Sequence, residues 1–149
     1  MIISARERRL FEGDFSQDAS EAQSRIQSSS FPWREAKVDR AVEQGDLIGS
    51  LRVIAAPGHT PGQIALFDSR SALIVGDAFS SMFDLTVASH SNELFPFPAW
   101  GTWDAKTALA SAEKLAKLEL SYLAPGGAVL KEPLPMMQRA IRKAFKAAG

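Results

Sequence analysis

The stretch that most constrains the fold of this chain runs from Leu51 to Asp77, LRVIAAPGHTPGQIALFDSRSALIVGD. It holds three short apolar runs, at residues 51–56, 63–68 and 72–75, with turn-forming residues between them. Because the connections are short, we expect three antiparallel strands in a meander. A Pro-Gly-His-Thr-Pro-Gly turn follows the first strand, and a Gly-Asp pair ends the third.

The meander predicts that His59 and Asp77 lie close together. The first and third strands run the same way, so the residues that follow them emerge at the same edge of the sheet, on backbones roughly 10 Å apart. An imidazole and a carboxylate that reach across this gap can meet at one metal ion, because both are ordinary zinc ligands. The alternative is purely structural, since both residue types are also common in turns.

Composition narrows the class of protein. A chain of 149 residues, 46% of them hydrophobic, is expected to form one domain over residues 1–149. The net charge of zero gives no general attraction to nucleic acid or anionic membranes, and no apolar run is long enough to span a bilayer. Residues 6–9 are charged where a signal core would be apolar, so we expect a cytoplasmic protein. The chain has no cysteine, which excludes disulfides and thiolate ligands.

The motifs APGHTPGQIALF and ALIVGDAF, followed by YLAPGGAVL and a closing helix, resemble the second half of the metallo-β-lactamase fold. This is the superfamily of glyoxalase II and many other metallo-hydrolases. The resemblance implies an α/β fold, the C-terminal half of an αββα sandwich, with a mostly antiparallel sheet flanked by helices. It also implies a zinc site, with His59 as one ligand and Asp77 as the carboxylate that bridges two metals.

Two departures set this chain apart from the superfamily. The upstream His-x-His-x-Asp-His motif of the family does not precede His59, because the sequence begins at Met1. Gly127 stands where the family usually has another metal-binding His. Only His59 and His90 are present, whereas a catalytic zinc normally takes three protein ligands. We therefore expect weak or absent zinc binding, no catalytic residues, and no independent hydrolase activity.

Two segments beside the meander are expected to be irregular. Residues 14–36 begin with a stretch rich in Ser, Gln and Asp, which predicts a mobile loop or a short surface helix. Residues 78–100 carry many apolar side chains with no period of 2 or 3.6, which predicts a loop. That loop either covers a substrate or packs its apolar groups under the sheet or into a second subunit. His90 lies among polar residues and is expected at the surface.

Three helices are expected around the sheet. Ser4 is a candidate N-cap for the first, and Thr102 or Asp104 for the second, which is expected to end near Leu118. The third begins at residue 133 or 134, and its expected buried residues are Met137, Ile141, Ala144 and Phe145.

Three functions remain open from the sequence. The first is a hydrolase-like protein without independent activity. The second is a non-catalytic homodimer, in which two copies cover the apolar sheet face that the other half of a sandwich would meet. A first strand at residues 2–3 would lack its natural neighbours and would be an exchange or dimer contact. The third is a metal-dependent hydrolase completed by a second chain or a separate N-terminal half, with a small-molecule substrate only in that case.

Overall fold

The computed structural model of the protein describes residues 1–26, 37–82, 84–90, 101–126 and 128–148. In these residues the chain forms nine strands and three helices. The strands are β1 (Ile2–Ser4), β2 (Arg40–Val42), β3 (Leu47–Ile48), β4 (Leu51–Ala55), β5 (Ile64–Asp68), β6 (Ala72–Ser80), β7 (Thr86–Val87), β8 (Tyr122–Gly126) and β9 (Leu130–Lys131). The helices are α1 (Ala5–Phe11), α2 (Ala105–Leu115) and α3 (Leu134–Ala148).

The main sheet is built on the predicted meander. Its described strands follow the order β3-β4-β5-β6-β8-β9, and β7 also pairs with β6. Strands β4, β5 and β6 are antiparallel, with Val53 opposite Leu66 and Leu66 opposite Ile74. Strand β8 runs parallel to β6 and places Ala124 beside Ile74. The expected mostly antiparallel sheet flanked by helices is therefore confirmed.

One face of this sheet is buried under α2 and α3. Leu73 of β6 and Leu123 of β8 are paired neighbours and are fully buried. They belong to one apolar cluster with Leu115 of α2 and Met137 of α3. Each large apolar side chain buried in this way contributes roughly 1.5–3 kcal/mol to stability. The main core therefore lies between the sheet and these two helices.

The opposite face of the sheet carries exposed apolar side chains. Ile74 is 46% exposed and Tyr122 is 40% exposed. Tyr122 pairs with Ala72, which is two residues from Ile74, so the two side chains stand on the same face. The main sheet packs helices on one face, and on its other face it leaves the apolar surface of Ile74 and Tyr122 exposed.

The N-terminal strand has a partner within the chain. Ile2 pairs with Arg40 and Ser4 with Val42, in parallel. The strand therefore has one neighbour, β2, in a two-stranded sheet. Its role as an exchange or dimer contact stays a prediction. The Ser4 side chain accepts a hydrogen bond from the Glu7 amide, as the predicted N-cap requires.

The prediction of a loop over residues 78–100 is wrong for the first part of that segment. Strand β6 continues to Ser80, and β7 pairs with it. The core cluster contains Phe79, Leu85 and Val87. Of the predicted alternatives for this segment, the burial matches the one in which its apolar groups pack under the sheet. Residues 91–100 lie outside the described residues.

The helices follow the predicted pattern with two differences. Helix α2 is capped by Asp104 and ends at Leu115, three residues before the expected end. In α3, Met137, Ala140 and Ala144 are buried, but Phe145 is 67% exposed, so its predicted burial is wrong. Successive residues of a helix are about 100° apart around its axis, so position 145 lies outside the buried face that residues 137, 140 and 144 form.

Of residues 14–36, the structure describes 14–26, which contain no helix, and 27–36 lie outside the description. Among the described helices, none is both long enough and apolar enough to cross a bilayer.

Candidate metal centre

His59 lies in the turn between β4 and β5, and this turn is inserted between two helices. A Cβ atom on Gly58 would lie 2.2 Å from the Cα atom of Ala108 in α2. A Cβ atom on Gly62 would lie 2.3 Å from the amide nitrogen of Glu7 in α1. No side chain fits at such distances, so the two glycines allow the close approach that fixes the position of the turn.

Helix α1 holds one side of the turn through Glu7. Its Oε2 atom accepts hydrogen bonds from the Thr60 hydroxyl at 2.8 Å and from the Gly62 amide at 3.1 Å. The Ser4 hydroxyl donates to the Gly62 carbonyl. The residues that begin the first helix therefore also anchor the turn that carries His59.

The start of α2 holds the other side. The Trp103 amide donates to the His59 carbonyl at 2.9 Å, and the Asp104 amide donates to the Gly58 carbonyl at 3.0 Å. The Ser111 hydroxyl donates to the Pro57 carbonyl at 2.6 Å. With hydrogen bonds from both helices, the backbone around His59 is fixed before any ligand binds.

Asp77 reaches the site because β6 bends at Gly76. The regular pairing of β6 with β5 ends at Ile74, and the register with β8 shifts on either side of Gly76. Gly76 has a φ of 50°, in the left-handed region that favours glycine. The Gln63 side chain donates to the Val75 carbonyl at 3.2 Å where the strands part. Asp77 therefore lies inside a bent strand, which corrects the expectation that it follows the strand's end.

The two predicted ligands face each other. His59 Nε2 and Asp77 Oδ2 are 4.0 Å apart, with the side chains 21% and 76% exposed respectively. Two ligands of a tetrahedral zinc ion are about 3.4 Å apart for bonds of about 2.1 Å. The observed gap is slightly wider, and the exposed Asp77 side chain is free to close it. The donor types and their separation thus fit two ligands of one metal ion.

The other ring nitrogen of His59 is engaged by Thr102. Nδ1 lies 3.3 Å from the Thr102 hydroxyl oxygen, and that hydroxyl donates to the Ala88 carbonyl at 2.7 Å. The sequence predicts Thr102 only as a candidate helix cap, and no sequence pattern links Glu7 to the turn. Their contacts with the turn join residues 43 and 53 positions apart, for which a single sequence carries no signal.

A cleft of about 400 Å³ lies against the His59–Asp77 pair. The apolar part of its described wall is formed by Leu10, Phe15, Ile26, Ile64 and Trp103. The charged groups in that wall are the carboxylates Glu7 and Asp77. Such a cleft favours a cation near Asp77 and an uncharged group along its apolar side.

His90, the other histidine of the sequence, does not join this pair in the described structure. His90 is partly buried, with its amide bonded to the Val87 carbonyl, and Gly127 lies outside the described residues. Within the part of the chain that the structure describes, no group of three or more His, Cys, Asp or Glu could hold a metal ion. The described site is a pair of donors.

Comparison with known proteins identifies the fold. No family model matches the chain. It is 38% identical over 148 residues to the uncharacterized protein YobT of Bacillus subtilis (strain 168), covering 98% of this chain and 64% of YobT. It is 43% identical over 77 residues to the probable metallo-hydrolase YflN of the same organism, covering 49% of this chain and 29% of YflN.

Among solved structures, TMB-1 matches 99% of this chain and 57% of its own with a TM-score of 0.60 at 16% identity. TTHA1623, in a di-iron-bound form, matches 93% of this chain and 62% of its own with a TM-score of 0.58 at 23% identity. The metallo-beta-lactamase family protein TTHA1429 from Thermus thermophilus gives a TM-score of 0.54 at 20% identity, covering 97% of this chain and 44% of its own. The chain has a partial metallo-β-lactamase fold.

The partial metallo-β-lactamase fold corresponds to the C-terminal portion of that domain, as the sequence motifs predicted. The chain spans 64% of the length of YobT and less than a third of YflN. Within this metallo-β-lactamase fold, the His59 turn and the bent strand β6 provide the candidate metal centre.

Proposed function

We propose that His59 and Asp77 are two ligands of a metallo-β-lactamase-type metal centre, and that these 149 residues do not hydrolyse substrates by themselves. The observation that carries the proposal is the 4.0 Å separation of His59 Nε2 and Asp77 Oδ2. A half-buried imidazole held by its turn and an exposed carboxylate are suited to binding a cation reversibly. The acidic lining of the adjacent cleft favours the same ion.

The number of donors supports the second part of the proposal. A catalytic zinc normally takes three protein ligands and leaves one position for water. The sequence has two histidines. Within the described residues, His90 does not form a cluster of three donors with His59 and Asp77. Gly127 occupies the sequence position of the late metal-binding His of the superfamily. Among the described residues no third donor joins this pair, so we propose that a completed site takes its remaining ligands from another polypeptide.

The metal is proposed to be zinc or iron. Zinc is the ion implied by the superfamily, YflN is described as a probable metallo-hydrolase, and TTHA1623 is known in a di-iron-bound form. In a completed site, such an ion would lower the pKa of bound water to about 7 and supply a hydroxide for hydrolysis. The chain's own part is to hold the ion through His59 and Asp77 and to bind the uncharged portion of a small substrate along the apolar wall.

A hydrolysis assay tests this proposal. Chromogenic ester, thioester and phosphodiester substrates are incubated with the chain and either zinc or ferrous iron, beside the variants His59→Ala and His90→Ala. We expect no metal-stimulated rate above that of His59→Ala. Metal-stimulated hydrolysis by the unaltered chain and by His90→Ala, but not by His59→Ala, would contradict the proposal.

The exposed face of the sheet supports a second candidate, a homodimeric assembly module. Ile74 and Tyr122 stand together on this face and are close to half exposed. Adjacent exposed apolar groups of this size are typical of surfaces that meet another protein. A second copy could cover them by packing the same face against itself, as in a two-fold symmetric dimer.

The third candidate is a hydrolase completed by a second polypeptide, which is favoured by the two-donor site. A separate N-terminal half, or a second copy, would add ligands beside His59 and Asp77. Mixing the chain with a separately expressed N-terminal half of YobT tests this candidate. Activity in the mixture but in neither component would support it, and an inactive mixture in which the two parts demonstrably associate would count against it.

A further inference from the structure

We infer that Thr102 is a positioning residue for His59, which it holds as the neutral tautomer with the hydrogen on Nδ1 and the lone pair of Nε2 facing Asp77. The inference deepens the proposed function. It rests on that function only in assigning the Nε2 lone pair to metal binding. The tautomer itself follows from hydrogen bonds of the chain.

The direction of the hydrogen bonds determines which nitrogen carries the hydrogen. A threonine hydroxyl has one hydrogen to donate and two lone pairs that accept. Thr102 donates its hydrogen to the Ala88 carbonyl, 2.7 Å away. Toward His59 Nδ1, at 3.3 Å, the same hydroxyl oxygen therefore acts as the acceptor, and Nδ1–H is the donor. A neutral imidazole has one N–H, so Nε2 is left with its lone pair.

The same hydrogen bonds connect the His59 ring to the strand that carries Asp77. The Ala88 amide donates to the carbonyl of Ala78 at 3.1 Å, and Ala78 directly follows Asp77. Ala78 and Ala88 are both buried, so this connection is shielded from water. Thr102 thereby links two segments that are far apart in sequence, and it sets the ring of His59 relative to the backbone at Asp77.

The backbone on either side of this link is fixed independently. Trp103, the residue after Thr102, donates its amide hydrogen to the His59 carbonyl at 2.9 Å. The turn around His59 is therefore held in place without the Thr102 side chain. Loss of the hydroxyl is expected to free the ring while the fold of the turn is kept, which makes the positioning role separable from a structural one.

The tautomer matters because a metal ion binds the nitrogen that has no hydrogen. A histidine side chain in water favours the form with hydrogen on Nε2, which would direct N–H toward the metal position. Partners that fix the tautomer of a ligating histidine typically change metal affinity 10–100-fold when they are removed. Thr102 would act on the centre in this way without touching the metal.

The test is a long-range ¹H–¹⁵N correlation spectrum of metal-free protein labelled with ¹⁵N at histidine, recorded at pH 9, where imidazole rings are neutral. The chain has two histidines, so His90→Asn assigns the signals. We expect His59 to give the pattern of the Nδ1–H form. Thr102→Val, which has a similar shape but no hydroxyl, is expected to shift His59 toward the Nε2–H form, and Thr102→Ser is expected to restore the original pattern. The His90 signals should be alike in all three.

A His59 ring in the Nε2–H form in the unaltered chain would overturn the inference, as would an unchanged Nδ1–H form in folded Thr102→Val. Circular dichroism establishes that this variant is folded, and Thr102→Ser provides the comparison if it is not. A zinc titration of the same proteins addresses the metal. If the tautomers are as expected but no zinc binding depends on His59, the proposed function is contradicted. The role of Thr102 then stands.

Discussion

Gly58 and Ala108 are in such close contact that a Cβ atom on Gly58 would lie 2.2 Å from the Cα atom of Ala108. This contact presses the turn that carries His59 against the first turns of α2. Because backbone atoms cannot move aside as a side chain can, the contact makes the position of His59 depend on glycine at residue 58.

The substitution Gly58→Ala is expected to lower the free energy of unfolding by about 2 kcal/mol or more, as overpacking at a rigid site does. Gly49→Ala is a control, because Gly49 also has a positive φ but has no atom within 4 Å of the added Cβ. Backbone strain alone is expected to cost this control roughly 1 kcal/mol. Urea unfolding measures both, and equal losses would show that the contact with Ala108 is unimportant.

Glu7 makes a second prediction about the same turn. In Glu7→Ala, the Thr60 hydroxyl and the Gly62 amide lose a charged acceptor, with an expected loss of about 1–3 kcal/mol in the free energy of unfolding. Glu12→Ala is the control, because Glu12 forms an exposed pair with Arg8 that is expected to contribute less than about 1 kcal/mol. Chemical shifts of the turn amides should change in the first variant only. Indistinguishable unfolding curves for the two variants would refute the role assigned to Glu7.

These two contacts illustrate what a single sequence can and cannot predict here. Apolar runs and turn residues identified the meander, and the meander brought His59 and Asp77 to the same edge. The continuation of β6 through Gly76 and Asp77 was missed because a Gly-Asp pair is also typical of a turn. The pairing of β6 with β7 shows that the strand continues. Contacts such as Glu7 with Thr60 depend on how helices pack against the sheet, which local patterns do not encode.

Asp68 predicts a dependence of stability on pH. Hydrogen bonds from the Arg70 side chain, and then from the Arg70 amide, lower the pKa of the Asp68 carboxyl from 3.8 to about 2. A pKa lower in the folded than in the unfolded protein stabilises the fold above the unfolded value, and this contribution is lost as the pH falls from about 4 toward 2. The difference in melting temperature between the unaltered chain and Asp68→Asn should therefore shrink over this range.

The variant Arg70→Ala separates the two causes of this effect. It removes the side-chain hydrogen bonds to Asp68 and keeps the amide, so its pH dependence should lie between those of the unaltered chain and Asp68→Asn. A melting-temperature difference between the unaltered chain and Asp68→Asn that stays constant from pH 5 to pH 2 would show that Asp68 titrates alike in the folded and unfolded protein.

The exposed sheet face predicts the effect of a charge on self-association. If two copies pack through this face, the unaltered chain should sediment as a dimer and Ile74→Lys as a monomer, because the substitution buries an unpaired charge. Phe145→Lys is the control, since Phe145 is an even more exposed apolar residue but lies on α3. A monomeric unaltered chain at the same concentration would rule out the homodimer.

The most direct test of the two-ligand metal centre is the zinc content of the protein after dialysis. The unaltered chain, His59→Ala and His90→Ala are each loaded with excess zinc and dialysed first against zinc-containing and then against metal-free buffer. We predict that the unaltered chain and His90→Ala bind zinc in the first buffer, more than His59→Ala does, and lose it in the second. One zinc per chain retained in metal-free buffer by the first two proteins, and absent from His59→Ala, would show that these residues complete a tight site and would contradict the account.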